Sequence, residues 1–158
     1  MIGVVMVHGG LSFSSSSCLA TVDSGAATIG RFTFDSASTV SVEANETIPV
    51  PNATISTKCI SSDGKNITIN KPGVYEVLAN FSFAASAAGP IETQMYRGGN
   101  PVPGAHAIDT ATTANNLTSQ AMNAVITVPC NAPQAIINFK AIAATSVRIA
   151  NIIVIKVA

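Results

Sequence analysis

Apolar and polar positions alternate with a period of two over most of this chain, and no segment repeats its apolar residues at helical spacing over three turns. The clearest run covers residues 73–83, where Tyr75, Val77, Ala79, Phe81 and Phe83 fall on one face of a strand. Shorter runs at 39–44, 55–61, 67–70 and 91–96 predict further strands, and 117–128, 135–143 and 146–157 predict the last three. The D-G-K-N of residues 63–66 reads as a hairpin turn and the K-P-G of 71–73 as another. Residues 97–104, R-G-G-N-P-V-P-G, read as a turn-rich link to one more short strand. The final run differs from the others. Ile149, Ile153, Ile155 and Val157 make one apolar face, and Ile152 and Val154 make the other apolar too. A strand apolar on both faces is buried on both, so this one predicts core on one side and a neighbouring subunit on the other. Strands at intervals of roughly 8–15 residues, separated by Gly and Pro turns, predict an all-β sandwich or jelly roll.

Composition sharpens the second half of that statement. Hydrophobic residues make up 47% of the 158, yet aromatics are 5% and Trp is absent, so the apolar content is mainly Ala, Val and Ile. Charged residues are 10%, against about 25% in an ordinary soluble domain. Residues 110–139 contain no charge at all. So few charges cover a monomer poorly, which predicts that much of the surface lies against other chains. Eight basic and eight acidic residues are scattered rather than clustered. The basic patch that a phosphate backbone needs is missing, so no nucleic-acid partner is expected.

The amino-terminal stretch M-I-G-V-V-M-V-H has no Lys or Arg before Arg31 and its apolar run stops at His8, which does not match a secretory signal. No run approaches the ~20 apolar residues of a membrane helix, so no membrane partner is expected and synthesis in a host cytoplasm is. Cys18, Cys59 and Cys130 lack C-x-x-C spacing, which predicts three free thiols and no zinc site. His106, with Asp109 three residues on, is the one His–carboxylate pattern near a loop. No nucleophile motif, H-E-x-x-H or phosphate loop accompanies it. The expectation is a non-enzyme with no cofactor, no catalytic residue and no metal.

Four segments carry a resemblance: I-T-I-N-K-P-G-V-Y-E-V, Q-M-Y-R-G-G-N-P-V-P-G-A, V-P-C-N and the terminal I-I-V-I-K-V. They resemble a bacterial and bacteriophage jelly-roll family similar to tumour necrosis factor and the complement globular head. That family includes carboxy-terminal domains of spore-surface collagen-like glycoproteins and phage head-fibre or capsid decoration proteins. Gly73, Tyr75 and Val77 match its "Gly, x, Tyr, x, Val" strand opening, and Gly99, Val102 and Gly104 match the end of a following strand. The resemblance implies a TNF-like jelly roll over residues 39–158 and a homotrimer about a common axis. Residues 1–38 lack collagen repeats and are expected to form an extended arm; the alternative is that Val4 to Val7 and Arg31 to Phe34 are the first strands of the sandwich. Ile2, Val4, Val5 and Val7 would anchor it to a capsid or fibre partner. Tyr75, Phe81, Phe83, Ile152, Ile153, Val154 and Ile155 are expected in the trimer interface or the core. The implied role is a structural virion protein, a phage capsid decoration or head-fibre protein at the virion surface. Its partners would be itself and the major capsid protein or another virion protein. The alternative is a spore-surface module, or one that binds a host receptor or surface glycan.

Overall fold

The computed structural model describes residues 27–158. Among these residues the chain forms ten strands and no helix: β1 (Ile29–Val42), β2 (Asn52–Ser56), β3 (Ile60–Ser62), β4 (Ile67–Ile69), β5 (Gly73–Ala84), β6 (Gly89–Arg97), β7 (Asn100–Ala111), β8 (Leu117–Val128), β9 (Ala135–Ala141) and β10 (Thr145–Lys156). They pair into two five-stranded sheets, β2–β1–β10–β5–β8 and β3–β4–β9–β6–β7. Every ladder within them is antiparallel. The architecture is the two-sheet jelly roll that the alternation predicts.

Alternation also decides what fills the space between the sheets. Tyr75, Val77, Ala79, Phe81 and Phe83 of β5 point inward and are buried, as are Ile152 and Val154 of β10. From the opposite sheet come Ile91 and Met95 of β6 and Ile137 and Phe139 of β9. Phe81 and Phe139 meet edge to face across the sandwich, with ring centroids 5.3 Å apart at 61°. This is the geometry that ring quadrupoles favour. Burying such a ring contributes about 2–3 kcal/mol, so this contact between sheets is a main fastening of the core. The Tyr75 hydroxyl, carried into the same core, donates to the Lys71 carbonyl at 2.8 Å. That bond braces the K-P-G turn. Burial pushes the phenol up to about 12, with the neighbouring Cys59 thiol adding to the effect. Gly73 opens β5 with φ +146°, and a Cβ there would stand 2.6 Å from the Ala158 carbonyl oxygen. Both the conformation and the space exclude a side chain.

Three expectations change at this level. Residues 29–38, expected in the arm, belong to β1 instead, where Arg31 to Asp35 pair with Ile153 to Ile149 of β10. Phe32 is wholly buried and Phe34 packs on the core, and that burial holds the segment in the sandwich. Ile2, Val4, Val5 and Val7 lie outside the described residues. Next, residues 97–104 are mostly strand rather than link. Gly98 and Gly99, at φ +55° and +84°, make a two-residue hairpin turn, and β7 begins at once. Pro101 and Pro103 are tolerated there because β7 is an edge strand. Lastly, Cys59 is a free thiol but Cys130 is disulfide-bonded, so three free thiols are not found. Spacing along the chain carries no information about which Cα atoms approach within bridging distance.

Candidate assembly interface

Since one face of each strand in the first sheet lines the core, the alternate residues form its outer face. The register places them in rows. Ile29, Ile155, Glu76 and Val125 lie side by side across β1, β10, β5 and β8. The next row is Arg31, Ile153, Leu78 and Asn123, with Ile55 of β2 beside Arg31. Then come Thr33, Asn151, Asn80 and Ala121, and after them Asp35, Ile149, Ser82 and Ser119. The upper rows are largely aliphatic, and nothing among the described residues covers them. Val125 is 66% exposed, Ile55 50% and Ile149 40%, while Ile29, Leu78, Ile153 and Ile155 are half-buried by their neighbours.

The lower rows are polar but uncharged apart from Asp35. Arg31 Nε donates to Asn151 Oδ1 at 3.2 Å, which turns the guanidinium along the face instead of away from it. A shallow hollow of about 430 Å³ lies among Asn80, Ser82, Ser119, Ala121, Ile149 and Asn151. A contiguous apolar area rimmed by amides and hydroxyls marks an interaction surface rather than a solvated one. Chemically this face can exclude water and accept hydrogen bonds. It holds no array for catalysis.

The second sheet's outer face is furnished differently. Glu92 Oε1 and His106 Nε2 are 2.7 Å apart, and Lys140 Nζ stands 4.9 Å from the centre of the Tyr96 ring. Asn138 Nδ2 donates to Asn66 Oδ1 at 2.9 Å. Between β6 and β7 the register slips, so that Gln94 faces His106 while Tyr96 faces Pro101. The Gln94 amide fills the gap, its Nε2 standing 2.9–3.0 Å from the carbonyls of Met95, Val102 and Ala105, which share its two hydrogens. It thereby satisfies acceptors that the bulge removed from the ladder.

Of the residues singled out in sequence, Tyr75, Phe81, Phe83, Ile152 and Val154 face the core, while Ile153 and Ile155 face outward beside Leu78 and Ile29. Ile149, read from the sequence as part of an apolar face of the last strand, stands on this outer face as well, whereas Leu78, Val125 and the Arg31–Asn151 pair carry no such expectation. The signal for Leu78 lies in the off-face positions of the 73–83 run, where it is the one large aliphatic residue after Val74. His106 finds Glu92 rather than Asp109 as its carboxylate partner, and it stands on the sheet opposite the aliphatic face. No group of three or more His, Cys, Asp or Glu suited to a metal occurs among the described residues. No described helix is long and apolar enough to cross a membrane.

No family model matches the chain, and no curated protein matches it in sequence. Solved structures do. Eiger TNF from S. frugiperda superposes with a TM-score of 0.69 at 12% identity, covering 84% of this chain and 93% of that one. The fold is that of tumour necrosis factor and the complement globular head. The globular domain of zebrafish complement 1qA matches with a TM-score of 0.53 at 10% identity, over 80% of this chain and 94% of that one. The PRD1 vertex protein P5 matches at 0.56 and 14% identity, over 85% of this chain and all of the other. At such identities the likeness is one of fold, and fold alone does not assign function.

Proposed function

We propose that this chain is a structural virion protein, a bacteriophage capsid decoration or head-fibre protein that assembles as a homotrimer on the particle surface. The observation that carries the proposal is the uncovered aliphatic face of β1, β10, β5 and β8. An area of this kind in a chain with 10% charge calls for a self-complementary or rotational partner, and cyclic homo-oligomers are the common solution. The phage vertex protein among the structural neighbours supports a virion setting. In this reading the protein is made in a host cytoplasm and contacts the major capsid protein or another virion protein. Its role is to cover or extend a surface, not to catalyse.

Two measurements test the proposal. Sedimentation equilibrium at micromolar concentration should give three times the chain mass, and a well-folded monomer overturns the trimer. Mass spectrometry of gradient-purified particles from cultures carrying the gene should find the chain in the particle peak. Recovery in the soluble fraction alone overturns the virion role and leaves the receptor- or glycan-binding module as the surviving alternative.

A further inference from the structure

Charges that are scattered along the sequence are sorted by the fold. One end of the sandwich gathers the β2–β3 and β4–β5 connections, the β6–β7 turn and the close of β10. There Asn70 N–H donates to the Cys59 carbonyl and Gly98 N–H to the Ile136 carbonyl, and Lys156 pairs with Tyr75 near the start of β5. This end carries Lys58, Lys71, Arg97 and Lys156. At the opposite end Ala141 N–H donates to the Glu46 carbonyl, Glu46 N–H to the Glu43 carbonyl and Ile142 N–H to the Glu92 carbonyl, while Asp109 pairs with Ile91. That end carries Glu43, Glu46, Glu92 and Asp109. The exceptions are Glu76 near the start of β5, Arg148 at the β10 irregularity, and His106 beside Glu92. Each end keeps an excess of its own sign.

The twelve residues of β5 run from one end to the other, a distance of about 37 Å at the strand rise. The Debye length is about 8 Å at physiological ionic strength, so the two sets of charges do not attract each other within one chain. Both are open to a partner. Lys58, Glu43, Glu46 and Asp109 are exposed, and Lys71, Arg97, Lys156 and Glu92 are half-buried. Between the acidic groups the loops are built of small uncharged residues, A-S-A-A at 85–88 and T-T-A-N-N at 112–116. No long side chain in these loops holds an approaching surface away.

We propose that copies of this protein associate end to end, the basic end of one seated on the acidic end of the next. Charge complementarity selects a second copy as the occupant. An anionic partner of another kind would use the basic end and leave the acidic end without a counterpart, whereas a second copy answers both. Such a contact joins two different surfaces of the same chain. It repeats without closing, and so extends into a line. It leaves the aliphatic face of β1, β10, β5 and β8 free and does not depend on the trimer. A trimer with its axis along the strands would present each set of charges three times and strengthen the same contact. Exposed ion pairs are individually weak and are screened by salt, so the association is reversible and sensitive to ionic strength.

Sedimentation velocity of the full chain in about 1 M and about 10 mM salt, where the Debye length is about 3 and about 30 Å, tests the stacking. The mass in high salt reports on the trimer alone. In low salt, species larger than that mass should grow with protein concentration, and their association constant should exceed the high-salt one at least tenfold. Two triple variants reverse the ends one at a time: Lys58→Glu with Arg97→Glu and Lys156→Glu, and Glu43→Lys with Glu46→Lys and Asp109→Lys. Each alone has two ends of like sign and should not grow in low salt, whereas an equal mixture of the two should grow again. If a triple variant does not fold, Lys58→Gln and Glu43→Gln serve, and each should weaken the growth severalfold. Absence of larger species from the wild-type chain in low salt overturns the proposal. So does growth that these substitutions leave unchanged, or a mixture of folded triple variants that fails to grow. A monomer in high salt that still grows in low salt overturns the trimer and upholds the stacking.

Discussion

Across one row of the first sheet's outer face stand Ile29, Ile155, Glu76 and Val125, whereas the second sheet turns Glu92, His106, Tyr96 and Lys140 outward. Both sheets have five strands and both contribute to one core, so folding does not require them to differ outside. On the second sheet Glu92 has His106 and Lys140 has the Tyr96 ring, and its exposed aliphatic residues, Ile108 and Ile136, stand among these polar groups. On the first sheet the branched aliphatic groups have no counterpart among the described residues, and the proposed trimer would bury them. The asymmetry separates what the chain needs in order to fold from the face on which the proposed assembly rests.

The sharpest way to break the comparison is to place one charge on each face. Ile153→Asp should weaken self-association at least a thousandfold, about 4 kcal/mol, because an unpaired carboxylate is costly to bury. Ile108→Asp, at a position 66% exposed on the second sheet, should leave the sedimentation profile unchanged. Equal effects at the two sites would remove the distinction. A smaller effect is expected from Gln94→Leu, which strips the Met95, Val102 and Ala105 carbonyls of their donor. Urea unfolding should show a loss of about 1–3 kcal/mol, with trimer mass retained at low denaturant. Smaller still is the Glu92–His106 pair, which is partly exposed. A double-mutant cycle of Glu92→Gln and His106→Ala should give a coupling of at most about 1 kcal/mol, and no change in assembly.

The smallest effect lies in the turn before β4. Asp63 accepts from the Asn66 side chain at 2.8 Å and from the N–H groups of Asn66 and Lys65 at 2.7 and 2.9 Å. These bonds, the Asn66 side chain first, lower its carboxyl from 3.8 to about 2. The folded value lies below the unfolded one. The contribution to stability is therefore complete above the unfolded value and is lost as pH falls from about 4 toward 2. Solvent screening keeps it small at this exposed turn. An NMR titration of the Asp63 carboxyl should show a midpoint near 2, and a midpoint at the ordinary value would show that the turn's bonds do not form in solution.

Local pattern was enough for β5 and β8, where a period of two persists over twelve residues, and for β10 from Ala150 onward, beyond its irregularity at Val147–Ile149. It was enough as well for the Asp63 turn, whose hydrogen bonds span three residues. The two-sided apolar character of β10, and with it the expectation of a neighbour, was also legible before any coordinates. Other features depend on partners far away along the chain. Arg31 and Phe34 became strand residues because β10, more than a hundred positions later, supplies their ladder. Pro101 and Pro103 could enter a strand because nothing among the described residues pairs with the far side of β7. His106 met Glu92 through a slipped register that Gln94 stabilises. The sequence by itself determined which residues turn inward, since alternation is a property of the single strand. Which outward faces lie together, and that one is aliphatic while the other is paired in charge, was decided by strand order. Strand order is set by long-range hydrogen bonding and packing, which no local period encodes.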